Sequence, residues 1–235
     1  MLFFGVLSIL LLTVSAQTVG GNSCSAVIKD TCASKTLTNS ENCNAKYGNI
    51  DELQEKVQEY INANIQKSFN FLLMSTYFGN FFESRDGLKG LYRKISDKSW
   101  QEAIELSKYL AHRGSMIKLT VNPHNQVDDS KYELNEVASL AKALEHQKEL
   151  ADKALNLHDK ALHSHRLNDK NTENTIPQRV NDAGLAHYIV EHFVEPLTES
   201  IRQLAGYTND LKRMLAADSY PVSVYLFDEY IKSAL

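Results

Sequence analysis

Three cysteines, Cys24, Cys32 and Cys43, are the only thiols in this 235-residue chain, and they stand eight and eleven residues apart. In an oxidising compartment they form disulfides, and an odd number leaves one thiol for another chain. Zinc is the competing chemistry. No C-x-x-C pair occurs and no histidine stands near them, which is a poor ligand set for it. His158, His163 and His165 form a second cluster. His163 and His165 could share a metal, but residues two apart on a helix point away from each other, and cationic side chains near a helix C-terminus explain the cluster as well. Glu145/Glu149 and Glu191/Glu195 are acid pairs at i, i+4, a spacing that solvated helix faces also produce.

The stretch from Asn64 to Phe78, NIQKSFNFLLMSTYF, is apolar and aromatic, and contains no Pro, Gly or carboxylate. It belongs to a longer periodic segment. From Asn49, as a candidate N-cap, Leu53, Val57, Ile61, Ile65, Phe69, Leu72 and Leu73 lie on one predicted stripe, behind an acidic first turn. GNFFESRDG breaks the pattern. A second helix is expected from Gly87 to His112, with Leu88, Leu91, Tyr92, Ile95, Trp100, Ala103, Ile104, Leu106, Tyr109 and Leu110 as its apolar positions. RGS ends it, and MIKLTVNPHNQVDDSK reads as a long crossover.

A third helix is expected over Tyr132–His163, with Leu134 and Leu155 among its buried residues. A fourth is expected over Arg179–Ala217, kinked at Pro196, and YPVSVYLFDEYIKSAL forms a short fifth helix with Pro221 near its start. No strand pairing is expected. The fold class is all-α: a four-helix bundle with one long crossover and a short C-terminal helix, over residues 49–235.

Residues 1–16 read as a signal peptide. Leu2 to Leu12 are apolar apart from Gly5 and Ser8, too short for the roughly 20 residues of a membrane span. Val14-Ser15-Ala16 fits a cleavage site before Gln17, although the segment before the apolar run has no Lys or Arg. A buried strand is the alternative. Residues 17–48 form a Ser-, Thr-, Asn- and Cys-containing arm. The mature chain is expected in the secretory lumen or outside the cell, with no membrane partner after signal removal. The net charge of −4 is spread in both signs without a basic block, so nucleic acid is not an indicated partner.

FLLMSTYF, KALEHQKELADKALNLH, IRQLAGYTNDLKRM and YLFDEY, in this order, resemble the helix signatures of ferritins. The signal segment and NCNAKYG resemble light-chain-type subunits of secreted insect ferritins. The resemblance implies a ferritin-like bundle in a shell of about 24 chains that stores iron as ferric mineral. It also implies a heavy-type partner that oxidises Fe(II) at a di-iron site inside its bundle, while the light type lacks that site.

Such a site needs anionic oxygen ligands and a Glu-x-x-His pair one turn apart. No Asp or Glu in this chain is followed by His three residues later. Carried over by resemblance, the ligand positions fall on Asn64, Ser99, Glu102, Gln147 and Leu197, with Phe71 where a Tyr is expected. Only Glu102 can be anionic, and one carboxylate cannot neutralise two ferrous ions. The mineral-nucleating positions fall on Gly90, Arg93, Lys94 and Asp97, so Asp97 and Glu199 are the cavity-facing carboxylates expected, with Glu102 the third candidate metal residue. The threefold-channel positions fall on His187 and Val190. Within the arm, a Cys24–Cys43 bond would close one loop of 20 residues around Cys32, leaving Cys32 for the heavy-type subunit. The reading is a storage subunit, not an enzyme. The alternatives are a di-iron oxidase with a degenerate site and a secreted lipid-binding helical bundle.

Overall fold

The computed structural model describes residues 44–118, 133–163, 165–166, 178–179, 181–217 and 219–235. Helix α1 spans Ile50–Phe78, in a stretch free of Pro and Gly, with Asp51 and Glu52 at its positive end. Asn49 occupies the N-cap position, but its carbonyl rather than its side chain serves the helix, accepting from Leu53 N at 3.2 Å. Gly48, at φ 66°, makes the turn into it. After Gly79 the Asn80 side chain accepts from the backbone N–H of Phe82 and of Glu83, both at 2.8 Å, and closes the turn.

Helix α2 spans Asp86–His112. Helix α3 spans Glu136–His163, starting later than the expected Tyr132. The reason is Asn135, whose Oδ1 accepts from the N–H of Val137 and of Ala138 at 3.1 Å and so ends the upstream chain as an N-cap. This leaves Leu134 outside the helix.

The expectation of no strand pairing is corrected. β1 (His165–Arg166) pairs antiparallel with β2 (Gln178–Arg179). Asp182 N bonds Ala161 O at 2.8 Å, so the chain returns to the end of α3 that it left. Two extended segments running in opposite directions there can share a short ladder.

The fourth helix begins α-helical at Ala183–Ile189, passes through a π-helical turn at Val190–Val194 and continues over Glu195–Ala217; together, 183–217 are α4. It starts after Asp182, not at Arg179, because Asp182 Oδ1 caps it by accepting from Leu185 N at 3.0 Å. Pro196 has no N–H to return to the preceding turn, and the wider π turn lies just before it. Helix α5 is Tyr220–Ala234, with a Pro in its first turn.

α1 lies beside α2 and α3, α3 beside α4, and α5 packs on α2 and α4. Most of the expected crossover, residues 119–132, lies outside the described residues. This is a four-helix bundle with a short fifth helix. Among the described residues no helix is long and apolar enough to cross a membrane.

The predicted stripe on α1 holds only for its first half. Leu53, Val57 and Ile61 are buried, whereas Phe69 is 56 % and Leu73 43 % exposed. Each i+4 step turns about 40° beyond a full helical turn, so Phe69 lies about 160° from Leu53. The buried face instead continues through Asn64, Ser68, Phe71, Ser75 and Phe78. Phe69 meets Trp100, also half exposed, edge-on at 6.2 Å. Leu155 is likewise 48 % exposed.

Candidate functional site

The buried apolar residues form two clusters. One includes Val57, Ile61, Leu106, Leu150, Ile189 and Leu197. The other includes Phe71, Phe78, Tyr92, Leu140, Leu204 and Phe227. Between them about two turns of each long helix contribute no buried apolar residue. α1 supplies Asn64, Lys67, Ser68 and Asn70 there, α2 supplies Ser96, Ser99 and Glu102, and α3 supplies His146 and Gln147, all buried. A polar layer thus crosses the middle of an otherwise apolar bundle.

Part of the layer is internally paired. Ser96 Oγ donates to Ser68 O at 2.8 Å. Lys67 reaches the Glu149 carboxylate at 2.5 Å, and Lys153 adds a second contact at 3.6 Å. Burial lowers the Lys67 pKa, with Glu149 pulling the other way. Burial alone would raise the Glu149 carboxyl, but Lys67, with Lys153 and His146 adding to it, more than reverses this and holds it below its ordinary value. The i, i+4 pair of Glu145 and Glu149 is therefore divided, since Glu145 bonds Lys142 at 3.4 Å outside.

Glu102 is 6 % exposed. Burial pushes its carboxyl up to about 7, against the opposing charge of Lys98, whose Nζ is 3.9 Å away. His146 is pushed down to about 4, by burial first and by Lys67 and Lys142 next. Phe71 is fully buried, stacked on Tyr92 at 6.4 Å and edge-on to His146 at 5.8 Å.

The carried-over positions Asn64, Ser99, Glu102 and Gln147 all fall in this layer, and Leu197 lies at its edge in the first apolar cluster. Their donors are two amides, a hydroxyl, one carboxyl and an alkyl group. Among the described residues no three His, Cys, Asp or Glu side chains are grouped so as to hold a metal. Glu102, Asp97 and Glu199 do not come together. Asp97 is exposed and accepts from Arg93 Nε at 2.9 Å, and Glu199 is exposed and bonded to Arg202. His163 is exposed and pairs with Asp159 at 2.9 Å. His187 and Glu191, 3.3 Å apart, are exposed on α4 beside exposed Glu195. Cys24, Cys32 and Cys43 lie outside the described residues, as does the His165 side chain.

Two arrangements escaped the sequence reading. The carboxylate of Asp228, buried on α5, accepts from Gly87 N at 3.1 Å and Leu88 N at 2.9 Å, and so caps α2 from another helix. Arg113, after α2, bonds Asp182 twice, at 2.7 and 3.3 Å, and also Tyr47 O at 2.9 Å and Tyr109 Oη at 2.8 Å. An acid set among apolar residues in YLFDEY was the available signal for the first. Nothing local marks the second.

This chain is 34 % identical over 213 residues to the ferritin light chain of Drosophila melanogaster, across 89 % of its own length and 88 % of that protein. It belongs to the ferritin family. Identity to the ferritin light chain of Trichoplusia ni is 32 %, over 82 % of each chain. The ferritin heavy chain of Drosophila melanogaster is 26 % identical over 95 % of this chain and 97 % of that one. The structure matches the crystal structure of Trichoplusia ni secreted ferritin with a TM-score of 0.76 and 29 % identity, covering 92 % of this ferritin and all of that chain. No protein-family model matches the sequence.

Proposed function

We propose that this chain is an iron-storing shell subunit without a ferroxidase centre. It assembles with a catalytic heavy-type subunit in a shell of about 24 chains and holds ferric mineral made from iron that its partner oxidises. The observation that carries this reading is the polar layer. Asn64, Ser99, Gln147 and Leu197 supply no anionic ligand where di-iron chemistry needs several, and burial raises the one carboxyl among these positions, Glu102, to about 7 and so disfavours its charged form.

The family, and likeness to light chains and to a secreted ferritin, support storage and a secretory location. In that setting the arm carries a Cys24–Cys43 bond, and Cys32 joins the heavy-type subunit. Asp97 and Glu199 serve as weak mineral contacts, because an arginine on the same helix already engages each.

Oxygen-dependent Fe(II) oxidation, followed by absorbance, tests the reading. The purified chain alone should add little to the uncatalysed rate, and mixed shells should oxidise iron in proportion to their heavy-type content. Rapid, saturable oxidation by this chain alone, abolished in Glu102→Ala, would overturn it.

A further inference from the structure

Tyr109 on α2 and Tyr188 on α4 lay their rings face to face, with centroids 4.3 Å apart and planes 21° from parallel. That is closer than the roughly 4.5–7 Å usual for aromatic pairs. Another tyrosine pair, Tyr207 and Tyr230, stands at 6.2 Å and nearly perpendicular, at 87°. Tyr109 and Tyr188 are both half-buried, so each ring keeps an edge toward solvent. Arg113 Nη1 donates to Tyr109 Oη at 2.8 Å. We propose that Tyr109 and Tyr188 form an oxidation site, where two equivalents of a one-electron oxidant couple the two phenol rings into a dityrosine bond between α2 and α4.

The spacing favours this product. Two phenols joined through their ortho carbons hold their centroids one carbon–carbon bond and two ring radii apart, which is close to the separation already present. The rings have to rotate about their centroids for those carbons to meet, but neither helix has to approach the other. Each phenol loses one electron to the oxidant and one proton to water, and the unpaired electron of the phenoxyl spreads to its ortho carbons. One ortho carbon of each ring then shares in a single new bond. Each of these carbons gives up its hydrogen, by way of solvent, to its own ring oxygen, which restores two phenols. The net change is the loss of two hydrogens and the reduction of two oxidant equivalents. Oxygen radicals made where ferrous iron meets peroxide are oxidants of this class. The hydrogen bond from Arg113 survives loss of the Tyr109 proton, because the guanidinium is its donor. The new bond would tie the end of α2 to the start of α4, beside the Arg113–Asp182 pair. This inference does not depend on the storage reading.

The test is photo-oxidation of the full mature chain in its native assembly with ruthenium tris-bipyridine and persulfate, which withdraws single electrons from tyrosine. Peptide mapping by mass spectrometry then locates the links. A peptide joining Tyr109 to Tyr188, lighter than its two parts by two hydrogens, is expected, with no link between Tyr207 and Tyr230. Tyr188→Phe keeps a ring in the stack and should lose that peptide, while its circular dichroism stays unchanged. A Tyr207–Tyr230 link in equal yield would overturn the proposal, because spacing would then not select the pair. So would Tyr109 and Tyr188 recovered unlinked, whether intact or hydroxylated, while dityrosine forms elsewhere.

Discussion

Glu102 and His146 share one buried layer and respond to pH in opposite senses. The Glu102 carboxyl moves from an ordinary 4.5 up to about 7 in the folded chain. As pH rises through that window the unfolded chain ionises first, so stability falls and then levels above about 7. Full expression of this shift is on the order of 3 kcal/mol. His146 moves from 6.5 down to about 4. As pH falls through that window the unfolded chain takes up the proton first, and stability is again lost. The two slopes oppose each other between about 4.5 and 6.5. Single variants should separate them. Glu102→Gln should gain stability as pH rises from about 4.5 to 6.5, and His146→Phe should lose it over the same range. Urea unfolding at a series of pH values reads the slopes, and equal slopes in both variants would sink the assignment.

At the scale of elements, α5 is held to α2 by backbone contact as well as apolar packing. Gly87 lies so close to α5 that a Cβ there would come within 2.1 Å of Asp228 O. Gly87→Ala should therefore push α5 outward and cost about 1–3 kcal/mol, the range for overpacked sites. Asp228→Ala should cost about 1–2 kcal/mol by removing the cap from two N–H groups. Thermal unfolding and proteolysis within α5 measure both effects, and an unchanged melting temperature in Gly87→Ala would refute the close approach. At the opposite end of α2, Arg113 and Asp182 are each only 4 % exposed in their side chains. Arg113→Met should cost about 3–5 kcal/mol, because it strands a buried carboxylate. Adding Asp182→Asn should recover part of that loss. A double variant no better than Arg113→Met would show that the Tyr47 and Tyr109 contacts, not the ion pair, dominate.

At the scale of the whole molecule, the proposed disulfides of the arm give a test of how subunits are joined. With three cysteines in an oxidising lumen, this chain should run in non-reducing electrophoresis as a species cross-linked to its heavy-type partner. Cys32→Ser should release it. A cross-link that survives Cys32→Ser but disappears in Cys24→Ser or Cys43→Ser would reassign the pairing. Tyr47 itself is fixed by Arg113: its carbonyl accepts from that guanidinium and its ring lies 3.9 Å beneath it.

The sequence by itself determined the helical elements, their order and the absence of Glu-x-x-His. These follow from local periodicity, breakers and residue type, which need no partner. It did not determine which way each helix faces. The i+4 run through Phe69 and Leu73 looked continuous, yet the partners of α1 turned Asn64, Lys67, Ser68 and Phe71 inward instead. Asn135 and Asp182 set helix starts through side-chain bonds that apolar spacing does not register. The raised Glu102 carboxyl, the Asp228 cap on α2 and the Arg113–Asp182 pair join residues far apart in the chain. Only the tertiary structure could decide these, because burial and through-space charge belong to the packed bundle and to no single segment of it.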